Sequence, residues 1–147
     1  MIRNATHADI PRIVEMAGKF YGQTRYAGIA PMAKESAAGL AIVMMEQGVM
    51  LLAEANGAVA GMVGLFIEPF TFNIEKTMAT ELVWWVDPEH QRSGIGAELL
   101  AAIEPACRDR GADVIRMMCL AGQCEAAEAI YSRMGYAPSE HAYMKVL

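Results

Sequence analysis

Apolar residues recur every three or four positions in four segments of the chain, which is the spacing of an amphipathic helix. The first segment begins at Asp9 and Pro11, two residue types common at helix starts, and it ends at Gly22. The other three segments are Pro31–Gln47, Gly94–Arg110 and Gln123–Met134. A glycine follows each of these three, and glycine readily adopts the left-handed conformation that ends a helix. The pattern therefore predicts four helices.

Between these helices lie runs of residues typical of β-strands. Val49–Glu54 and Ala58–Glu68 flank an Asn-Gly pair, which is a strong hairpin signal. The run Ala79–Val86 ends at Asp87-Pro88, because proline cannot donate a hydrogen bond to a sheet. Shorter strands are predicted at Ile2–Asn4, Val114–Leu120, Tyr136–Ala137 and Ala142–Val146. The alternation of elements predicts one α/β domain over residues 1–147, built on a mixed sheet.

Composition and charge narrow the class of partner. The net charge is -5 and the chain has no long run of Lys or Arg, whereas nucleic-acid affinity depends on phosphate neutralisation. The negative net charge therefore argues against nucleic acid as a binding partner and suits a cationic partner. No apolar run reaches the ~18 residues of a membrane span, and the N-terminus lacks a signal-peptide pattern. We therefore expect a soluble, cytoplasmic protein, and the hydrophobic fraction of 54% favours an apolar interface with a second copy.

The three cysteines are expected to be inert buried thiols. Cys107, Cys119 and Cys124 are odd in number and form no CxxC pair. No histidine or second cysteine lies at the spacing of a metal site. The sequence therefore predicts no metal and no cysteine chemistry.

A glycine-containing turn joins the strand ending at Val86 to the following helix, and it reads Gln91-Arg92-Ser93-Gly94-Ile95-Gly96-Ala97. Glycines let the backbone approach an anion, and the first N–H groups of a helix lack internal partners. The turn is therefore a candidate phosphate site. It is not the dinucleotide fingerprint, because Leu99 stands where a third glycine is needed. It is not a nucleotide P-loop, because Ala97-Glu98 replace the required Lys and Ser or Thr.

The spacing Gln91-x-x-Gly94-x-Gly96, between a strand and a long helix, resembles the pyrophosphate-binding motif of the GCN5-related N-acetyltransferases (GNAT). The stretch Tyr131–Tyr136 resembles the second recurrent motif of that family, and the element order matches over the whole chain. This resemblance implies a mostly antiparallel central sheet whose fourth and fifth strands splay apart, flanked by about four helices. It also implies acetyl-CoA as co-substrate, with pantetheine inserted between the splayed strands. The residues implied in binding it are Trp85, Val86, Gln91, Arg92, Ser93, Gly94, Ile95, Gly96 and Ala97.

Transfer to an amine requires a base, because an ammonium with a pKa of about 10 must lose a proton before it attacks a thioester. The resemblance places a glutamate base at Glu81, and strand alternation predicts that Glu81 shares a face with Val83 and Trp85. The alternative for Glu81 is an ordinary paired or solvated carboxylate. His141 is a second candidate base. Tyr131 matches the family position that protonates the departing thiolate, with a packed core aromatic as its alternative.

Three functions remain open from the sequence. The first is an N-acetyltransferase that moves an acetyl group from acetyl-CoA to a primary amine by direct attack in a ternary complex. The second is a non-catalytic acyl-CoA-binding regulatory module, and the third is a scaffold whose glycine turn binds nothing. The acceptor is expected to be set by Phe20–Ala38 and Ala137–Ala142. Family habit, like the apolar composition, predicts a homodimer.

Overall fold

A five-stranded sheet with helices on both faces forms the protein, and the computed structural model describes residues 1–147. The strands are β1 (Ile2–Asn4), β2 (Val49–Ala55), β3 (Ala58–Pro69), β4 (Thr77–Val86) and β5 (Val114–Arg116). The helices are α1 (Ile10–Tyr21), α2 (Lys34–Gln47), α3 (Ile95–Asp109) and α4 (Cys124–Arg133). The four predicted helices are confirmed. None of them combines the length and the apolar character needed to cross a membrane.

The sheet has the strand order β1-β2-β3-β4-β5. The first three pairs are antiparallel and the pair β4–β5 is parallel, which confirms the mixed sheet. The β2–β3 hairpin turns at Asn56 and Gly57, whose φ angles of 53° and 79° are both positive. Asn and Gly tolerate this conformation better than other residues, so the sequence fixes the turn at this point.

A β-bulge interrupts β4 at its middle. Glu81 and Val83 pair with neighbouring residues of β3, which leaves Leu82 between them without a partner. One extra residue reverses the alternation of side chains between the two faces. The predicted common face of Glu81, Val83 and Trp85 is therefore wrong, because Glu81 lies on the opposite face, with Ala79.

Each face of the sheet carries its own hydrophobic core. The core beneath α1 and α2 includes Ile13, Met16, Met44, Leu52, Met62, Val83 and Trp85. The core beneath α3 and α4 includes Leu51, Val63, Leu65, Ala79, Leu99, Ile103 and Tyr131, with Trp84 packed against it. The two adjacent tryptophans, Trp84 and Trp85, therefore pack on opposite faces of the sheet.

The predicted closing strands are absent. Residues 137–147 contain no strand and are exposed, and β5 ends at Arg116 rather than at Leu120. The pattern of Ala142–Val146 reports local β-propensity, whereas a strand forms only when a neighbour accepts its hydrogen bonds. The sheet of this structure ends at β5 and does not extend to this segment.

The expectation of three buried free thiols is also wrong. Cys119 and Cys124 form a disulfide, and only Cys107 is a free buried cysteine. The chain reverses between the pair, with Gly122 at a φ of 82°, so that the two Cα atoms are 5.3 Å apart. This local reversal supplies the proximity that the linear spacing did not reveal.

Candidate active site

The strands β4 and β5 separate after a short stretch of pairing. Their register covers only Met78–Thr80 against Val114–Arg116, while β4 continues to Val86. The second half of β4 therefore has a free backbone edge on the β5 side. This opening confirms the predicted splay of the fourth and fifth strands.

Glu81 lies where the two strands part, and its side chain is buried, with 4% of the residue exposed. Its Oε2 accepts a hydrogen bond of 3.0 Å from the backbone N–H of Met118, and no Lys or Arg forms an ion pair with it. Burial raises the pKa of the Glu81 carboxyl to about 7, and the Met118 N–H offsets only part of this rise. A carboxyl group with such a pKa can give or take a proton near neutral pH.

Tyr131 reaches the same opening from α4. Its hydroxyl donates a hydrogen bond of 2.7 Å to the carbonyl oxygen of Met118. The ring centroid lies 5.6 Å from that of Trp84 and 5.6 Å from that of Tyr136. Burial raises the pKa of the Tyr131 hydroxyl, and the nearby Glu81 carboxylate raises it further, so that the hydroxyl stays protonated.

The backbone of Met118 is a part of the site that sequence reasoning missed. Its N–H and its C=O bind the two candidate catalytic side chains, Glu81 and Tyr131. The contact is made by main-chain atoms of a residue beyond β5, so no side-chain pattern could have revealed it.

The glycine turn presents a row of free donors. Arg92 and Gly94 have positive φ angles of 64° and 96°, and α3 begins directly afterwards at Ile95. None of the backbone N–H groups of residues 92–97 has an acceptor within the chain. Successive free amides at a helix N-terminus form an anion-binding concavity. The turn is fixed by Gln91, whose Nε2 donates to the Val86 carbonyl at 3.2 Å, and by Ser93, whose Oγ donates to the His90 carbonyl at 2.6 Å.

The two glycines of the turn have different structural roles. Gly94 has open space around it, but its φ of 96° is a conformation that other residues adopt at a cost. Gly96 has an ordinary φ, and a Cβ there would lie 3.4 Å from the ring of Trp84 and 3.8 Å from Val86. The first is therefore required by the backbone conformation, whereas neither the backbone nor the packing of α3 against β4 requires the second.

Asp87, which sequence reasoning also missed, anchors the end of β4 on the opposite face. Its carboxylate is 1% exposed and is bonded to Arg12, to Lys19 at 3.1 Å and to Trp85 Nε1 at 3.1 Å. These partners hold its pKa below the usual range despite the opposing effect of burial. The signal in the sequence was the seven-residue spacing of Arg12 and Lys19, which places both on one face of α1.

The remaining candidates lie in different surroundings. The side chain of Trp85 is buried under α1, and its main chain pairs with Met62 of β3, so Trp85 does not face the opening. Val86 is half-buried, and Ile95 belongs to the core beneath α3. His141 lies in the exposed C-terminal segment, outside any strand or helix.

A groove of about 620 Å³ lies between α1 and the start of α2. Glu15, Glu35 and Lys34 line it together with the apolar side chains of Val14 and Met32. The segment Phe20–Ala38 was expected to set the acceptor. Only the second half of that segment lines the groove, through Met32, Lys34, Glu35 and Ala38.

Comparison with known proteins identifies the kind of molecule. The acetyltransferase (GNAT) family model matches residues 19–136. A transcriptional regulator from Bacillus halodurans C-125 superimposes with a TM-score of 0.77 at 18% identity, covering 100% of this chain and 99% of that one. A ribosomal-protein-alanine N-acetyltransferase from Brucella melitensis biovar Abortus 2308 gives 0.72 at 15% identity, with coverage of 100% and 99%.

An aminoglycoside acetyltransferase, HMB0005, from an uncultured soil metagenomic sample has a TM-score of 0.72 at 16% identity, and the alignment covers 100% and 97% of the two chains. No curated protein sequence matches the chain. At these identities the structural similarity shows only that the fold is shared. The match to the family model is what assigns the chain to the family.

Proposed function

Since the chain belongs to the GNAT family of acetyltransferases, we propose that it moves an acetyl group from acetyl-CoA to a primary amine by direct attack in a ternary complex. The observation that carries this proposal is the buried Glu81 carboxyl, with a pKa of about 7, at the point where β4 and β5 part. A structural carboxylate would have a cation partner there. Glu81 has only one backbone donor.

Acetyl-CoA would lie along the free edge of β4, with its pyrophosphate on the turn. The edge of β4 at Val86, whose N–H and C=O point away from β3, suits the amide groups of pantetheine, which can pair with it like a strand. The free amides of residues 92–97 suit the pyrophosphate, and Arg92 adds a formal positive charge. Gln91 and Ser93 hold the turn in the receptive conformation through their bonds to Val86 and His90.

In the reaction, Glu81 would accept the proton of the attacking amine, directly or through a water molecule. A carboxylate of pKa about 7 is ionised above neutral pH and is basic enough to act there. The amine nitrogen then attacks the thioester carbonyl, and the C–S bond breaks. The Tyr131 hydroxyl donates its proton to the departing sulfur, which is consistent with the raised pKa that keeps it protonated.

The class of acceptor is proposed from charge. An amine approaches as an ammonium, and the net charge of -5 favours cationic acceptors. Similar folds occur in proteins named for ribosomal-protein alanine and for aminoglycosides, so a panel should contain both peptide N-termini and small polyamines.

The homodimer and the cytoplasmic location are further parts of the proposal. Leu40 and Val43 on α2 are exposed, as are Tyr143 and Val146 near the C-terminus. Exposed apolar side chains of this size favour an interface. Sedimentation at micromolar concentration tests it, and a 16.0 kDa species alone contradicts the dimer.

The deciding experiment is calorimetric titration with acetyl-CoA, with CoA and with pantetheine lacking the pyrophosphate. We expect the first two to bind and pantetheine to bind far more weakly. Gly94→Ala should weaken acetyl-CoA binding about tenfold, because the turn must pay ~1–2 kcal/mol for a left-handed alanine. Gly111→Ala is the matched control, since it also places an alanine at a positive φ, 79°, with open space around it, but at the other end of α3.

The titration also separates the alternatives. Binding followed by turnover in the amine panel supports the transferase. Binding without turnover of any amine favours the acyl-CoA-binding regulatory module. Absence of binding to the wild type leaves the turn without a ligand and contradicts both.

A further inference from the structure

The disulfide Cys119–Cys124 closes the loop that leads from β5 to α4. Cys119 follows β5 by three residues, and Cys124 is the first residue of α4. The bridge therefore joins the two elements that form one side of the opening beside β4. It closes a small loop, in which Gly122 makes the reversal.

The bridge is directly connected to the candidate catalytic groups. Cys119 is bonded through its peptide to Met118, whose N–H and C=O hold Glu81 and Tyr131. Tyr131 lies on α4, two turns after Cys124. Fixing Cys119 to Cys124 therefore restrains the Met118 peptide and the helix of Tyr131 relative to each other.

The two sulfurs also differ from the third cysteine in access. Cys119 is exposed and Cys124 is half-buried, whereas Cys107 is fully buried in the core beneath α3. A small thiol or disulfide can reach Cys119 from solvent, and thiol–disulfide exchange depends on such access. The exposed bridge is thus open to reduction and re-formation.

We propose that Cys119 and Cys124 form a reversible thiol–disulfide site whose oxidised form holds the Met118 peptide in place and thereby raises the rate of acyl transfer. The consequence for rate rests on the proposed function. The oxidant is a low-molecular-weight disulfide of the glutathione type. Disulfides in a reducing compartment are usually transient and regulatory, which suits a bridge at this position.

The chemistry balances in two exchanges. The Cys119 thiolate attacks one sulfur of the small disulfide, the S–S bond of the reagent breaks, and one small thiolate leaves. The Cys124 thiolate then attacks Cys119 in the mixed disulfide, the protein S–S bond forms, and the second small thiolate leaves. The two cysteines lose two electrons and two protons, and the reagent leaves as two thiols.

The link to rate runs through the hydrogen bond from Met118 to Glu81. This bond lowers the pKa of Glu81, against the larger effect of burial. When reduction releases the loop, the bond is made for a smaller fraction of the time, and the pKa of Glu81 rises further. Less of the carboxyl is then ionised at neutral pH, and the Tyr131 hydroxyl loses its fixed acceptor at Met118.

The first test is chemical and does not depend on activity. Purified protein is reduced, or oxidised with glutathione disulfide, with EDTA present because the reduced thiols and Glu128 lie close enough to bind a metal ion. Denaturation, alkylation and mass spectrometry should find Cys107 alone labelled after oxidation and all three cysteines labelled after reduction. Labelling of Cys119 and Cys124 in both samples overturns the proposal.

The second test measures the consequence at Met118. Hydrogen exchange of the peptide containing Met118 should be slower in the oxidised form, and kcat at pH 7 should be about fivefold higher, the size of effect expected for one ordinary hydrogen bond. On reduction, the low-pH limb of the pH–rate profile should move to higher pH. Cys119→Ser and Cys124→Ser should match the reduced wild type under all conditions, while the control Cys107→Ala should keep the response.

Two results contradict the proposal. Equal exchange at Met118 in both redox forms shows that the bridge restrains nothing there. Equal kcat values, with a bridge that forms, show that the restraint does not reach the chemistry. If neither form transfers acetyl groups but exchange at Met118 still responds to oxidation, the proposed function fails while the restraint by the bridge stands.

Discussion

Two buried carboxylates lie six residues apart, one on β4 and one directly after its end, and their surroundings are opposite. Asp87, at the end of β4, is bonded to Arg12, Lys19 and Trp85, and these partners lower its pKa. Glu81, at the bulge, has one backbone donor and no cation, and burial raises its pKa to about 7. The same chemical group is therefore held in its charged form at one site and is able to exchange a proton near neutral pH at the other.

The comparison separates structural from chemical use of a buried charge. A buried carboxylate is stabilised when cations and donors replace the water it has lost. The α1 side supplies those partners and ties the helix to the strand that leads into the glycine turn. The opening beside β5 provides Glu81 with no such cations. Burying Glu81 there therefore lowers the stability of the fold, and it leaves a carboxyl group that can act as a base.

Replacing Glu81 should have the largest effect. Glu81→Gln keeps an acceptor for the Met118 N–H but cannot take a proton, and we expect kcat/KM at pH 8 to fall by about 100- to 1000-fold, the range of general-base catalysis. Steady-state kinetics with acetyl-CoA and a reactive amine measure it. Glu75→Gln, at an exposed loop position, is the control. A loss of less than threefold in kcat/KM would show that another group acts as the base.

Replacing Asp87 should break the structural member of the pair. Asp87→Ala leaves the Trp85 N–H buried without an acceptor and removes the partner of two cations, so the free energy of unfolding should fall by about 3 kcal/mol. Urea unfolding measures the change. Glu15→Ala removes an exposed member of the same network and should have a much smaller effect. Equal effects of the two variants would contradict the central position of Asp87.

The two carboxylates should also differ in how stability depends on pH. The pKa of Glu81 is higher in the folded than in the unfolded protein, so its protonated form favours folding, and this stabilisation is lost as pH rises through about 7. Between pH 5 and pH 8 the wild type should lose about 2 kcal/mol relative to Glu81→Gln. Urea unfolding of both proteins at both pH values tests this. Parallel pH curves would show that Glu81 is not strained by burial.

Removing the Tyr131 hydroxyl should have the smallest effect of the four. Tyr131→Phe keeps the ring against Trp84 but loses the donor to the thiolate, and kcat should fall about tenfold, a modest acid contribution. Tyr136→Phe, which alters the neighbouring ring, should leave kcat nearly unchanged. Full kcat in Tyr131→Phe would remove the acid role and leave the family membership untouched.

Much of the fold could be read from local patterns. The Asn56-Gly57 pair sets the hairpin because both residues adopt positive φ, and the Asp87-Pro88 pair ends β4. Helical spacing located all four helices within a few residues. The strand pattern at Ala142–Val146 failed, because local propensity does not supply a pairing neighbour.

The candidate site could be predicted only in part. Glu81, Tyr131 and the turn at residues 91–97 were named from motifs, and the structure brings Glu81 and Tyr131 to the backbone of one residue, Met118. The bulge at Leu82, the backbone of Met118, the anchoring of Asp87 and the Cys119–Cys124 bridge were not anticipated. The first three depend on which distant segments become neighbours in space, whereas the bridge depends on the local reversal at Gly122.

The sequence by itself determined the element order, the hairpin, the glycine turn and the family, since these depend on residue types at short spacing. Only the tertiary structure decided which way Glu81 points, how many partners each buried carboxylate has, and which main-chain groups complete the site. The reason is physical: a pKa is set by burial and by neighbours in space. Two carboxylates only six residues apart therefore acquire different chemistry only after the chain has folded.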